Sequence, residues 1–180
     1  MKVEGTRLPG VMVIEPSVYR DDRGFFLETY RQERYAELLN QPLDFVQDNH
    51  SRSLKGVLRG LHAQQRFPQG KLVRVSQGNI YDVVVDIAPE SPTLGDWVGV
   101  YLSDKNHRQV WIPPGYAHGF VVLSEFADVL YKCTGYYRPD DEVGIVWNDS
   151  DVGIEWPVQQ PILSMKDAAL PKLRELIPEL

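Results

Sequence analysis

The 180-residue chain reads as a mainly β protein, a sandwich or barrel of jelly-roll type with a few short helices. Short runs of alternating or β-branched residues dominate it, and glycines and prolines separate them. Helical periodicity is confined to two places. Many short strands with frequent turns are the mark of packed antiparallel sheets.

In chain order, strands are expected over residues 11–15, 24–30, 45–51, 57–61 and 72–76. Further strands are expected over 80–87, 97–102, 109–112, 119–123, 129–134 and 144–147. Turn signals such as Gln77-Gly78-Asn79 and Pro113-Pro114-Gly115 separate them. The clearer helical pattern covers 31–39, and a weaker one near 168–176 suggests a short C-terminal helical tail. Thirteen prolines and fourteen glycines are scattered rather than pooled, so residues 1–180 are expected to form one domain without a linker.

Composition narrows the class. Hydrophobic content of 43% with 24% charged residues is that of a globular protein. A net charge of −6 argues against broad nucleic-acid binding, although one phosphate group needs only local positive charge. The single cysteine, Cys133, excludes an internal disulfide and fits a reducing compartment. No long apolar run accompanies Lys2, Glu4, Arg7 and Pro9, so neither a signal peptide nor a membrane span is expected, and the cytoplasm is the expected location.

Chemistry concentrates in Lys55-Gly56-Val57-Leu58-Arg59-Gly60-Leu61-His62, with Lys71 nine residues further on. His62 can exchange a proton near neutral pH, Arg59 suits a phosphate oxygen, and Lys71 suits a developing oxyanion. The set reads as an acid–base site for an anionic substrate. Lys71 as a plain surface lysine is the rival reading. In an ideal strand Arg59 and His62 would face opposite ways, so either a bulge at Gly60 or a strand that ends before His62 is expected to bring them together.

Two polar residues sit inside apolar strands. Asp82 alternates with Ile80 and Val84, and the other face, Tyr81, Val83 and Val85, is also apolar. A buried acid there needs a partner such as a histidine; an outward-facing acid is the alternative. Tyr131 shares a face with Val129 and Cys133 and is expected to point inward, either bonding a carbonyl or acting chemically. His50 reads as structural or solvated. His107, in the polar loop Asp104-Lys105-Asn106-His107-Arg108, reads as a surface residue.

Gly115-Tyr116-Ala117-His118-Gly119-Phe120 puts His118 where cupin barrels carry a histidine. Together with Gly56–His62, Gln69-Gly70-Lys71-Leu72-Val73-Arg74, Trp111-Ile112-Pro113-Pro114 and Ser164-Met165-Lys166-Asp167, the chain resembles the dTDP-4-dehydrorhamnose 3,5-epimerase family. Asp22-Arg23-Gly24-Phe25-Phe26-Leu27-Glu28 and Phe45-Val46-Gln47-Asp48-Asn49-His50-Ser51 extend the likeness over nearly the whole chain. The resemblance implies a cupin-type jelly-roll barrel. It also implies epimerisation at C3 and C5 of dTDP-4-dehydro-6-deoxy-D-glucose, in dTDP-L-rhamnose biosynthesis, with no cofactor and no metal.

By the same resemblance His62 would be the base, Asp167 its dyad partner and Asp82 a second acidic neighbour. Lys71 would stabilise an enolate, and Tyr131 would be the acid on the opposite face of the sugar. Arg59 would hold the diphosphate and Tyr137 would stack on thymine. Arg23, Glu28, Gln47, Asn49, His118, Glu142 and Lys166 would complete the contacts. Family members are homodimers in which the N-terminal segment of one subunit serves the nucleotide site of the other, which implicates Arg23 and Glu28. A surface ion pair with Asp21 or Asp22 is the rival reading for Arg23.

The chain departs from the family at Ala63, where an aromatic usually follows the base. A ring lost there is expected to widen the pocket or reseat the sugar. A C3-only epimerase, or an epimerase of another nucleotide-linked 4-keto sugar, is therefore the alternative. From other classes, a metal-dependent cupin would need several converging ligands, and His62-Ala63-Gln64 lacks the second histidine of a cupin pair. A sugar-nucleotide binding module without catalysis would show no proton exchange.

Overall fold

The computed structural model describes residues 1–177. Among the described residues three sheets, all antiparallel, carry the strands. The first holds β1 (Lys2–Gly5), β2 (Met12–Glu15), β10 (Gln109–Ile112), β7 (Lys71–Gln77), β12 (Phe126–Cys133) and β5 (Gln47–Leu54), in that spatial order. The second runs β13 (Glu142–Gly144), β6 (Leu58–Gln64), β11 (Tyr116–Val122), β8 (Asn79–Asp86) and β9 (Trp97–Ser103). A separate hairpin is made of β3 (Val18–Asp21) and β4 (Gly24–Leu27). This is the expected mainly β, jelly-roll class.

Alternation divides each strand between two environments. Val73, Val75, Ile80, Val84, Val110, Ile112, Phe120, Val122 and Val129 meet between the two large sheets. Val83, Val85, Leu61 and Ala117 face the other way and are covered by Ile145, Val152, Leu173 and Ile177 of the C-terminal segment. Helix α1 (Gln32–Leu38) roofs the outer face of the first sheet, where Tyr35, Leu39 and Leu43 pack on Ile14, Leu72 and Trp111. β8 is therefore buried on both faces, which is why its sequence is nearly continuous in valine. Each such side chain taken from water contributes about 1.5–3 kcal/mol.

Three expectations need correction. The helical pattern near 168–176 is two short pieces, α2 (Met165–Ala168) and α3 (Leu173–Leu176), because Pro171 cannot continue a helix. The strand expected at 144–147 lies earlier, as β13, and residues 145–147 leave the sheet. β1 and β3 were not expected: Lys2-Val3-Glu4-Gly5 and Val18-Tyr19-Arg20-Asp21 are polar edge or hairpin strands with little to bury. Gly24 closes that hairpin at φ +131°, a conformation that favours glycine.

Gly60 gives the expected bulge. Along the β6–β11 pairing His62 faces His118 and Arg59 faces Phe120, so Gly60 and Leu61 together oppose Gly119 alone. Gly60 has φ +110°, and a Cβ there would meet the His118 carbonyl oxygen at 2.6 Å and the Gly119 Cα at 2.7 Å. The extra residue sends Leu61 into the outer cluster and leaves Arg59 and His62 on one side.

Candidate active site

A cavity of about 420 Å³ opens between the two large sheets. From the second sheet, β6 contributes Arg59 and His62, β11 contributes His118 and Phe120, and β13 contributes Glu142. From the first, β5 contributes Gln47, Asn49 and Ser51, β7 contributes Lys71, and β12 contributes Tyr131 and Cys133. Tyr137, Lys166 and Asp167 also line the cavity, with Gln69, Gly119 and Ser164. Tyr131 does share its inward face with Val129 and Cys133, as alternation requires. It stands on the sheet opposite His62.

His62 Nε2 lies 2.6 Å from Asp167 Oδ1. The acid is delivered by local capping: Ser164 Oγ accepts the Asp167 amide at 3.0 Å, starting α2 and fixing its third residue. With Nε2 donating to the carboxylate, Nδ1 is the nitrogen left to take a proton. Burial lowers the His62 pKa below its ordinary value and outweighs Glu142 and Asp167, which raise it. The imidazole is therefore neutral at neutral pH.

The acidic neighbour of this pair is Glu142, whose Oε1 is 3.8 Å from His62 Nε2. The expectation for Asp82 is corrected: it does not accompany His62. Its Oδ2 lies 2.8 Å from His118 Nε2, and it is fully buried behind that histidine rather than on the cavity wall. The buried-acid reading with a histidine partner was right in kind, with His118 as the partner.

Lys71 faces inward with Val73 and Val75, not outward as a surface lysine, and its Nζ is 3.4 Å from the His62 carbonyl oxygen. Desolvation lowers its pKa. Burial raises that of Tyr131, which keeps the phenol protonated. Burial also works to raise the Glu142 pKa, but hydrogen bonds from Lys166 and Tyr137 prevail and hold it low. At the mouth Arg59 Nε donates to Ser53 Oγ at 2.8 Å, and the Tyr137 amide donates to Gln47 Oε1 at 2.9 Å.

Arg23 and Glu28 are not brought to this cavity within one chain. Arg23 is paired with Asp21 on the exposed hairpin turn, and Glu28 accepts from Arg34 at 2.6 Å. The expectation for Ala63 is also corrected. One residue past His62, it points through the sheet into the cluster with Leu61, Val83 and Ile145, away from the cavity. Its size cannot widen the sugar pocket directly. His107 is likewise no surface residue; it is buried beneath Phe25, with ring centroids 4.8 Å apart. His50 is solvated and bonded to Asp128, as expected.

Sequence reasoning missed Ser51, Gln69, Gly119, Phe120, Cys133 and Ser164 as wall residues. A signal existed for two of them: Cys133 shares a face with Tyr131, and Ser51 follows Gln47 and Asn49 at alternate positions. Among the described residues no group of three or more His, Cys, Asp and Glu is placed to hold a metal ion, and none of the helices is long and apolar enough to cross a membrane.

The model of the family described as dTDP-4-dehydrorhamnose 3,5-epimerase matches residues 5–175. This chain belongs to that family. The dTDP-4-dehydrorhamnose 3,5-epimerase of Salmonella typhimurium is 56% identical over 179 residues, covering 98% of each chain. A solved dTDP-6-deoxy-D-glucose-3,5-epimerase from Legionella pneumophila, in complex with dTDP-4-keto-L-rhamnose, is 52% identical with a TM-score of 0.96. That match covers 99% of this chain and 95% of the other. A more distant family structure, a 3'-monoepimerase from Streptomyces bikiniensis with dTDP-quinovose, is 31% identical at TM-score 0.90 and covers 97% and 90%. The cupin-like barrel is thus the architecture of the family's epimerases.

Proposed function

We propose that this chain, acting as one catalytic domain, epimerises dTDP-4-dehydro-6-deoxy-D-glucose at C3 and C5 to dTDP-4-dehydro-L-rhamnose. The observation that carries the reading is the placement of a neutral, carboxylate-bound His62 on one sheet and a protonated Tyr131 on the other, with Lys71 reaching from the Tyr131 sheet to the His62 carbonyl. The C4 ketone acidifies the protons on its two neighbouring carbons. His62 Nδ1 takes one of them, the C–H electron pair moves into a C=C bond, and the ketone oxygen becomes an enolate. Lys71 supplies positive charge to that oxygen. Tyr131 then gives its proton to the carbon from the opposite face, and the C4 ketone re-forms with inverted configuration. Solvent takes the proton from His62 and restores the one on Tyr131 before the second carbon is turned.

Asp167 holds the imidazole tautomer and supports the imidazolium. Arg59 clamps the diphosphate with a planar fork that lysine lacks, and Tyr137, Gln47, Asn49, His118, Glu142 and Lys166 complete the seat. Asp82 orients His118. We assign Arg23 and Glu28 to the nucleotide site of a second copy in a homodimer. Their exposed hairpin, with Tyr19, Phe25 and Phe26 each more than half exposed, supports that exchange. The free Cys133 suits the reducing cytoplasm, where we place the enzyme.

The high identity to 3,5-epimerases along the whole chain favours inversion at both carbons. Supplying the 4-keto sugar nucleotide in heavy water and following C3 and C5 by NMR tests this. Deuterium is expected at both. Deuterium at C3 alone would make the protein a monoepimerase, and none at either carbon would sink the reading.

A further inference from the structure

We infer that Ser51 is a substrate-binding residue that donates its hydroxyl to the phosphate attached to the sugar; this rests on the reading of the site as one for a dTDP-linked sugar. β5 turns four successive polar residues inward at alternate positions, Gln47, Asn49, Ser51 and Ser53. Three of them are tied. Gln47 donates to Asn49 at 3.0 Å and accepts the Tyr137 amide, Asn49 donates to Cys133 Sγ at 3.6 Å, and Ser53 accepts from Arg59 at 2.8 Å. Ser51 is the exception: it lines the cavity, and its Oγ is shut off from solvent with no hydrogen-bond partner among the described residues.

A buried hydroxyl without a partner is unfavourable, and proteins leave few of them. On a residue that lines a ligand cavity, a turn about the Cα–Cβ bond carries the hydroxyl to a partner on the arriving ligand. Strand register says which part of the ligand that is. Asn49 pairs with Tyr131, the acid, while Ser53 holds Arg59, the phosphate clamp. Ser51 lies between them, roughly 7 Å along the strand from each. The group bridging a reacting sugar and a clamped diphosphate is the sugar-linked phosphate. An O–H donated to a phosphate oxygen is a charge-assisted bond, stronger than a neutral one.

Calorimetric binding of dTDP and dTMP to wild type and Ser51→Ala, with thermal melting of both proteins free of ligand, tests the assignment. The alanine variant is expected to bind dTDP about tenfold more weakly and dTMP within about twofold of wild type, because only dTDP carries the second phosphate. Its ligand-free melting temperature is expected to equal or exceed that of wild type, since the substitution removes an unpaired buried hydroxyl. Unchanged dTDP affinity, an equal loss for dTMP, or a lowered ligand-free melting temperature would each overturn the inference. Should the alanine variant fold poorly, Ser51→Cys keeps the shape with a weaker donor and must show the same selective loss. Wild-type protein that binds no dTDP would instead remove the sugar-nucleotide reading itself.

Discussion

The walls of the cavity and the β3–β4 hairpin put the same kinds of side chain to different uses. In the cavity, charged groups are desolvated and tied: His62 to Asp167, His118 to Asp82, Glu142 to Lys166. Burial lowers the pKa of His62, and hydrogen bonds from Lys166 and Tyr137 hold that of Glu142 down. On the hairpin, Arg23 and Asp21 form a pair whose side chains are 90% and 50% exposed. Such a surface pair is worth about 0–1 kcal/mol and holds little in place. One region holds its charges desolvated and paired, whereas the other leaves charge and aromatic surface exposed.

Substitutions separate the two regions by kind as well as size. His62→Asn is expected to lower kcat about 10³-fold with little change in dTDP affinity, as steady-state rates and calorimetry would show. Arg23→Ala is expected to do the reverse, weakening dTDP about tenfold while kcat stays within about twofold. A kcat loss at Arg23 matching that at His62 would erase the distinction. Sedimentation shows whether the hairpin reaches a second copy: a monomeric wild type would remove the exchange.

A smaller effect lies in the pH profile. Burial lowers the His62 pKa, so the base stays neutral, and kcat/KM holds, to below the ordinary 6.5 before falling on the acid side. On the alkaline side the fall is expected to follow Lys71, whose charge burial makes easier to lose than at its ordinary 10.5, while burial holds the Tyr131 proton beyond its ordinary 10.0. An acid limb above 6.5 would argue that the carboxylates outweigh burial at His62.

Much of this was legible in the sequence. Period-two runs named eleven of the thirteen strands among the described residues, although β13 was placed too late, because half-buried strands must alternate. The conflict between Arg59 and His62 called, from the same rule, for a bulge at Gly60 or a strand end before His62, and β6 takes the bulge. Where reasoning followed adjacency instead of alternation it failed: Ala63 neighbours His62 in sequence but lies through the sheet from it. Long-range pairing was the harder limit. His62 and Asp167 are 105 residues apart, and only resemblance to a family joined them. Asp82 shows the same limit, since its need for a histidine was plain but the choice between His62 and His118 was set by register. The strand β3 left no apolar pattern to read because its side chains stay largely in solvent.

The central claim is that two residues on opposite sheets serve opposite faces of one sugar ring. Running Tyr131→Phe with the 4-keto substrate in heavy water, and reading both deuterium content and ring configuration by NMR, tests it most directly. The account predicts that His62 still exchanges substrate protons for deuterium while the inverted product is lost. Inversion at the wild-type rate and stereochemistry without the Tyr131 hydroxyl would contradict it.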